Sequence, residues 1–248
     1  MVTMDNNIKW VNEISSAIMC DREKSNLING VTRRKICKNL TVFIITLLLL
    51  VNVSCTKVEG SQNFDNVSDR IIFLGDSITH LCKWDQLLPG LNVLDYGILS
   101  DPSGGVLSRL DGVIRLKPKK IFIMVGINDI YNGQNSDVMT NYPRIIDNLI
   151  RNSHYTKIYI QSILPVTTQK APKSINFSDN MGNKYIVEDN KELESLVKNI
   201  NNINVKYIDL YTEFLDANEN LSDKYSDDGL HLNKDGCRHW LDLIKGFL

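Results

Sequence analysis

The 248-residue sequence lacks the marks of several functional classes. Its charges nearly cancel, 28 Lys and Arg against 29 Asp and Glu. There is thus no basic excess of the kind a nucleic-acid-binding surface carries, and no nucleic-acid partner is expected. The four histidines (His80, His154, His231, His239) form no HExxH pair and the five cysteines no CxxC. No zinc site is recognisable, and no metal or cofactor is expected. A GxSxG motif, the nucleophile elbow of α/β-hydrolases, is missing. No apolar run reaches the roughly 18 residues that span a membrane, and no period of about 20–50 residues recurs, which excludes solenoids and propellers. What remains is a chain with 43% hydrophobic and 23% charged residues, long enough for one α/β domain with a sizeable core.

The composition changes sharply along the chain. Residues 1–40 are polar and end in the basic cluster Arg33, Arg34, Lys35, Lys38, followed by the apolar run TVFIITLLLLVNV over 41–53. A basic stretch, a short apolar run and small residues describe an export signal. The run ends in Val53-Ser54-Cys55, which resembles the lipobox of bacterial lipoproteins, although Asn52 stands where that motif usually has Leu. The resemblance implies cleavage before Cys55 and lipidation of its thiol. Two or three acyl chains anchor stably where one does not, at about 0.8 kcal/mol per buried CH₂. The leader is long, and a start at Met19 would shorten it; the competing reading is an uncleaved anchor helix. Either way the expected organisation is an export signal over 1–54, a polar tether over 55–69 and a folded domain over 70–248. That domain is expected outside the cytoplasm, membrane-anchored on the periplasmic or extracellular side. Cys82 and Cys237 are then an even pair in a compartment where disulfides persist, with their pairing left open.

From residue 70 onward short β-rich runs alternate with helical periods. The strand candidates are 70–75 (RIIFLG), 92–97 (NVLDYG), 120–126 (KIFIMVG), 157–163 (KIYIQSI) and 205–211 (VKYIDLY). Three are nearly continuous apolar runs, as buried parallel strands are. A helix after Asp101-Pro102 puts Val106, Leu107, Leu110, Val113 and Ile114 on one face, with Pro102 suited to its first position. Further helices are expected over 137–151, 188–200 and 233–247, and the segment 167–187 reads as a long polar loop just beyond strand four, either bordering the crevice or a neutral insertion. Five strands alternating with helices imply a parallel sheet covered on both faces. In such sheets the ligand crevice lies beyond the carboxyl ends of the strands.

The chemically informative residues fall at those ends. Strand one runs into Gly75-Asp76-Ser77, which places Ser77 at a helix N-terminus, where backbone N–H groups favour an anionic oxygen; Asp76 or Ser77 could equally serve as a helix cap. Asp228-Gly229-Leu230-His231 sets a carboxylate three residues before a histidine, within reach of the ring's Nδ1. Nε2 is then left for a hydroxyl, the arrangement that activates a serine nucleophile. Strand three ends in Gly126-Ile127-Asn128-Asp129, where the Asn128 amide could donate to an oxyanion or simply form an Asn-Asp turn. Strand two ends in Gly97-Ile98-Leu99-Ser100-Asp101, at another helix N-terminus facing the same crevice.

Together RIIFLGDSIT, VGIND and DGLHLNKDG resemble the first, third and last conserved blocks of the GDSL/SGNH hydrolases, over residues 70–248. The resemblance implies a flavodoxin-like three-layer α/β/α sandwich with a five-stranded parallel sheet of order 2-1-3-4-5. It implies a Ser77, Asp228, His231 triad and an oxyanion hole from the Ser77 and Ser100 N–H groups with Asn128. Gly75, Asp76, Gly97 and Gly126 belong to the supporting motifs. The second block departs from the family's G-I-x-G-D, because Ser100 replaces its second glycine. A serine keeps the N–H but adds a side chain that narrows the crevice. The expected function is therefore serine esterase (carboxylic ester hydrolase) activity on small acyl groups, acetyl first, carried by glycans or lipids. O-acyl transfer at the same site and a non-catalytic, ligand-binding lipoprotein are the alternatives. His80, one turn after Ser77, is expected on the helix surface rather than as a base, and Trp84 and Trp240 are expected in the core.

Overall fold

In a computed structural model of the protein, residues 68–167, 170 and 181–248 are described. The leader, Cys55 and most of the tether lie outside the described residues. The elements run β1 (Ile71–Gly75), α1 (Ser77–Leu81), α2 (Trp84–Leu87), β2 (Val93–Gly97), α3 (Ser103–Arg115), β3 (Lys120–Met124), α4 (Ile127–Tyr131), α5 (Asn135–Asn152), β4 (Lys157–Gln161), α6 (Met181–Ile200), β5 (Val205–Ile208) and α7 (Lys234–Ile244). Short 3-10 turns follow β5 at Thr212–Phe214 and α7 at Lys245–Phe247. The sheet order is β2-β1-β3-β4-β5 and every neighbouring pair is parallel. This is the order and strand count expected from the sequence.

The apolar runs explain why β1 and β3 lie centrally. Every residue of β1 is buried, whereas the edge strand β2 is half-covered and exposes Asp95. Register then sorts the side chains into two faces, since successive residues of a strand alternate. Phe73, Phe122 and Tyr159 stand opposite one another across β1, β3 and β4. Their rings stack at centroid distances of 5.0 and 4.6 Å, and Trp84 of α2 lies flat on Phe73 at 3.6 Å. Trp240 of α7 meets Trp84 edge-on at 4.7 Å. Both indoles are fully buried, and both N–H groups have partners: Trp84 donates to the Thr79 carbonyl and Trp240 to Gln161 Oε1. The expectation that these tryptophans are core residues is met. The other face carries Ile72, Leu74, Ile121, Ile123, Ile158 and Ile160, all buried, while α3, α5 and α6 pack side by side. The sheet is the middle layer of an α/β/α sandwich.

Several element ends differ from the sequence expectation, each for a local reason. β3 stops at Met124 because the Tyr142 hydroxyl takes over Val125, accepting from its N–H and donating to its carbonyl. β5 stops at Ile208 because the N–H groups of Leu210 and Tyr211 both turn onto Ser162 Oγ, at 2.7 and 2.8 Å. Pro102 is the extended N-cap of α3 rather than its first helical residue. The long helix after β4 begins at Met181, so the polar segment expected over 167–187 is shorter, and 168–169 and 171–180 lie outside the described residues. The first turn of α6 escaped the apolar pattern because it is held by polar bonds, with Ile186 the first of its side chains to reach the core. Asn183 pairs with both the N–H and the carbonyl of Val166 at 2.9 Å.

Cys82, at the end of α1, is disulfide-bonded to Cys237 in the first turn of α7, 155 residues away. The open pair of the sequence is thus a cross-link between the first and last helices of the domain. Closing so long a loop restricts the unfolded chain, a contribution of about 2–4 kcal/mol for typical native disulfides. We expect Cys82→Ser/Cys237→Ser to lose stability of that order in urea unfolding. The wild type under reducing conditions should move to the same midpoint; an unchanged midpoint would show that the cross-link adds nothing.

Candidate active site

The connection order of the sheet reverses at β1, since β2 lies on one side of it and β3 on the other. At such a switch point the loops leaving the two central strands part and open a crevice. The segment after β1 carries Ser77 and the segment after β3 carries Asn128. Asp76 accepts from the Ile78 N–H at 2.9 Å and so caps α1. Ser77 is the first residue of that helix, and its N–H has no partner within the helix. Of the two residues considered as the helix cap, Asp76 and Ser77, the aspartate takes that place.

Ser77 Oγ lies 3.0 Å from His231 Nε2, and His231 Nδ1 lies 2.8 Å from Asp228 Oδ2. The other carboxylate oxygen, Oδ1, accepts from the backbone N–H groups of Leu230 at 2.9 Å and His231 at 2.7 Å. Burial of Asp228 opposes its ionisation. The His231 ring and these two N–H groups outweigh it and hold the carboxyl below its ordinary range. An anionic Asp228 keeps the proton on Nδ1 and presents the Nε2 lone pair to the serine hydroxyl. The turn that makes this possible runs through Gly229 at φ +77°, where an L side chain is strained; a Cβ there would also meet the Thr167 carbonyl. Thr167 N–H donates to the Gly229 carbonyl at 2.8 Å and ties the turn to the segment after β4.

Asn128 is the second residue of α4 and is half-buried, its Nδ2 donating to the Asp101 carbonyl at 3.1 Å. One amide hydrogen is engaged there, and the same nitrogen carries a second. The competing expectation of a simple Asn-Asp turn is not met, because residues 127–131 form a helix. Asp129 is buried and holds the start of α3, accepting from the Ser103 N–H at 2.8 Å and the Ser103 hydroxyl at 2.6 Å. Ser100 is exposed and sits at φ +60°, the left-handed region that favours glycine. That backbone, not only the space around it, is what a glycine would suit; for a serine it costs about 1–2 kcal/mol. Gly97 is required by close approach, since a Cβ would meet the His80 N–H and the Asp76 carbonyl.

His80 pairs through Nδ1 with Asp95 Oδ2 at 3.0 Å on the β2 side of α1, in keeping with the surface role expected of it. Two features escaped the sequence reading: the left-handed backbone at Ser100, and Arg109 of α3, whose guanidinium reaches back to the strand ends. Arg109 reads as a polar position on an amphipathic helix, and only the fold reveals what it meets. Cys55 lies outside the described residues.

A parallel α/β/α sandwich with a hydroxyl, an imidazole and a carboxylate in hydrogen-bonded series at its crevice is the frame of an ester-hydrolysing enzyme. The sequence profile of the GDSL-like Lipase/Acylhydrolase family matches residues 73–239, and the chain belongs to that family. Among curated proteins none matches in sequence. Solved structures similar in fold include a Bacteroides fragilis protein described as an acylhydrolase, at 21% identity and TM-score 0.65, covering 74% of this chain and 88% of that one. A GDSL-like lipase from Bacteroides thetaiotaomicron aligns at 22% identity and TM-score 0.63, covering 72% and 87%. A Streptococcus pneumonia protein described as a platelet activating factor aligns at 24% and 0.63, covering 75% and 86%. At these identities the likeness establishes the fold.

Burial pushes the Asp76 carboxyl up from its ordinary 3.8 to about 7; the Ile78 N–H pulls the other way and the charges of Asp101 and Asp129 add to the rise. The folded state therefore binds more protons than the unfolded state across this window, and stability falls as pH rises from 3.8 to about 7. Asp189, raised to about 7 chiefly by burial, adds to the same slope. Asp76→Asn keeps an acceptor for Ile78 and removes one titration. Urea unfolding between about pH 4 and 7 should show a shallower decline for the variant than for the wild type. Parallel curves would exclude Asp76 as a source of the slope.

Proposed function

We propose that the protein is an exported serine esterase that removes small acyl groups, acetyl first, from glycans or lipids. The observation that carries this reading is the series Ser77 Oγ, His231 Nε2, His231 Nδ1, Asp228 Oδ2, with links of 3.0 and 2.8 Å. In the proposed reaction Ser77 Oγ attacks the acyl carbonyl while its proton passes to His231 Nε2. The imidazolium, steadied by Asp228, returns that proton to the departing alcohol as the ester C–O bond breaks. Water then repeats the sequence on the acyl-enzyme and regenerates the serine. The N–H groups of Ser77 and Ser100 and the second amide hydrogen of Asn128 are assigned to the oxyanion, a contribution typically worth about 10²–10³ in kcat per donor.

Support for a small acyl group comes from Ser100, which puts a side chain where glycine is the family's usual residue. Support for export comes from the apolar run before Cys55 and from the Cys82–Cys237 disulfide, a bond that persists in oxidising compartments. Lipidation of Cys55 is proposed as the membrane anchor.

The test is turnover of p-nitrophenyl acetate and octanoate by the wild type, Ser77→Ala and Ser100→Gly. We expect Ser77→Ala to be inactive yet folded, and Ser100→Gly to gain about 5–30-fold for octanoate relative to acetate, the equivalent of about 1–2 kcal/mol. Near wild-type turnover by Ser77→Ala would contradict the mechanism, and equal changes on both esters would contradict the acyl preference.

A further inference from the structure

The segment Ile98–Pro102 carries one proposed oxyanion donor on a backbone that a serine does not favour. Its shape must therefore be imposed from outside, and the restraints can be named. Ile98 N–H donates to the Gly75 carbonyl at 3.1 Å and Asp101 N–H to the Ile98 carbonyl at 3.2 Å. Asn128 holds the Asp101 carbonyl, and Asp129 holds Ser103. The remaining restraint is Arg109. Its Nε donates to Asp101 Oδ2 at 2.8 Å, and one terminal nitrogen lies 2.8 Å from the same oxygen. That nitrogen also donates to the Gly75 carbonyl at 3.0 Å, and the other terminal nitrogen donates to the Tyr96 carbonyl at 2.8 Å. One planar group thus joins the last residue of β1, the end of β2 and the loop that follows it. Gly75 lies two residues before Ser77, and Asp101 is next to Ser100.

The helix is built to admit this contact. Gly105 and Arg109 are four residues apart in α3 and share a face. The Asp101 carboxylate lies across that face, where any Cβ at position 105 would collide with it. The Arg109–Asp101 pair is mostly shielded from water, with side-chain exposures of 21% and 11%. A lysine, with a single ammonium and no planar fork, cannot span the same three acceptors.

We propose that Arg109 is a positioning residue for the oxyanion site: it clips the Ser100–Asp101 loop to the strand that delivers Ser77, and thereby sets the distance between the two backbone donors. It touches no substrate. This proposal rests on the esterase reading above. The clip acts on the transition state through donor placement, and a displacement near 1 Å costs up to about 10²-fold in rate. Its consequence for Ser100 is specific. Glycine adopts the left-handed backbone without strain, so a loop with glycine at 100 depends less on being held.

The test compares Arg109→Lys, Asp101→Asn and the double variant Arg109→Lys/Ser100→Gly, with kcat and KM on p-nitrophenyl acetate and amide hydrogen exchange over 97–103. We expect Arg109→Lys and Asp101→Asn to lower kcat by about 10–100-fold with KM within about twofold, and to speed exchange in this segment. Arg109→Lys should cost several-fold less when made on Ser100→Gly than on the wild type, a coupling that a general loss of stability would not produce. A folded Arg109→Lys with kcat within about twofold of wild type and native exchange over 97–103 would overturn the proposal, as would a loss carried by KM alone. If the wild type itself hydrolyses no ester, the esterase reading fails instead, and the exchange comparison still decides whether Arg109 holds the loop. Should Arg109→Lys not fold, Asp101→Asn takes the charge from the same contact at its other end.

Discussion

The hydrogen bond between Ser77 Oγ and His231 Nε2 joins residues 154 positions apart in the chain. Neither residue can hold that contact from its own neighbourhood. Ser77 is placed by β1, whose continuous apolar run forces it into the middle of the sheet. His231 is placed by a glycine turn that hangs between the segment after β4 and helix α7. The aromatics Phe73, Trp84 and Trp240 run between the two, from β1 through α2 to α7, the first pair stacked and the second edge-on, and the Cys82–Cys237 bridge ties the end of α1 covalently to α7. A packed core transmits position with little slack. The distance between serine and histidine is therefore a property of the whole domain rather than of a local motif.

Carboxyl groups at the crevice are held in different states by their surroundings. Asp228 receives two backbone N–H groups and an imidazole, and is kept anionic despite its partial burial. Asp76 is buried with one N–H, beside other negative charges, and is pushed toward neutrality. Asp129 is raised by burial while two bonds from Ser103 pull it back. One residue type thus supplies an ion that orients an imidazole, a buried helix cap and a clasp on α3. The division follows from desolvation against hydrogen bonding, the two effects that most often set a carboxyl's pKa.

Much of this was legible in the sequence, and the reasons are physical. Parallel central strands must be apolar on both faces, so 71–75 and 120–124 declare themselves, and the order 2-1-3-4-5 follows from the family resemblance. Ser77, Asp228 and His231 sit in short motifs whose spacing alone brings Asp228 and His231 together; Ser77 needs the fold. What was hidden depended on contacts between distant segments. The left-handed backbone at Ser100 leaves no trace in a serine's identity. Arg109 looks like any exposed arginine of an amphipathic helix until β1 and β2 are laid beside it. The start of α6 was missed because its first turn is fastened by Asn183 to the backbone of Val166, and a single buried Ile186 in the stretch leaves no apolar period to read.

The central claim is that Ser77 is a nucleophile activated through His231 and Asp228. The most direct measurement is mass-spectrometric mapping of the adduct formed with a fluorophosphonate, in the wild type and in His231→Gln. The account predicts a single modification located on Ser77, formed orders of magnitude more slowly when His231 is replaced, while Asp228 and the fold are intact. Modification of another serine, or equal labelling of Ser77 in the two proteins, would contradict it.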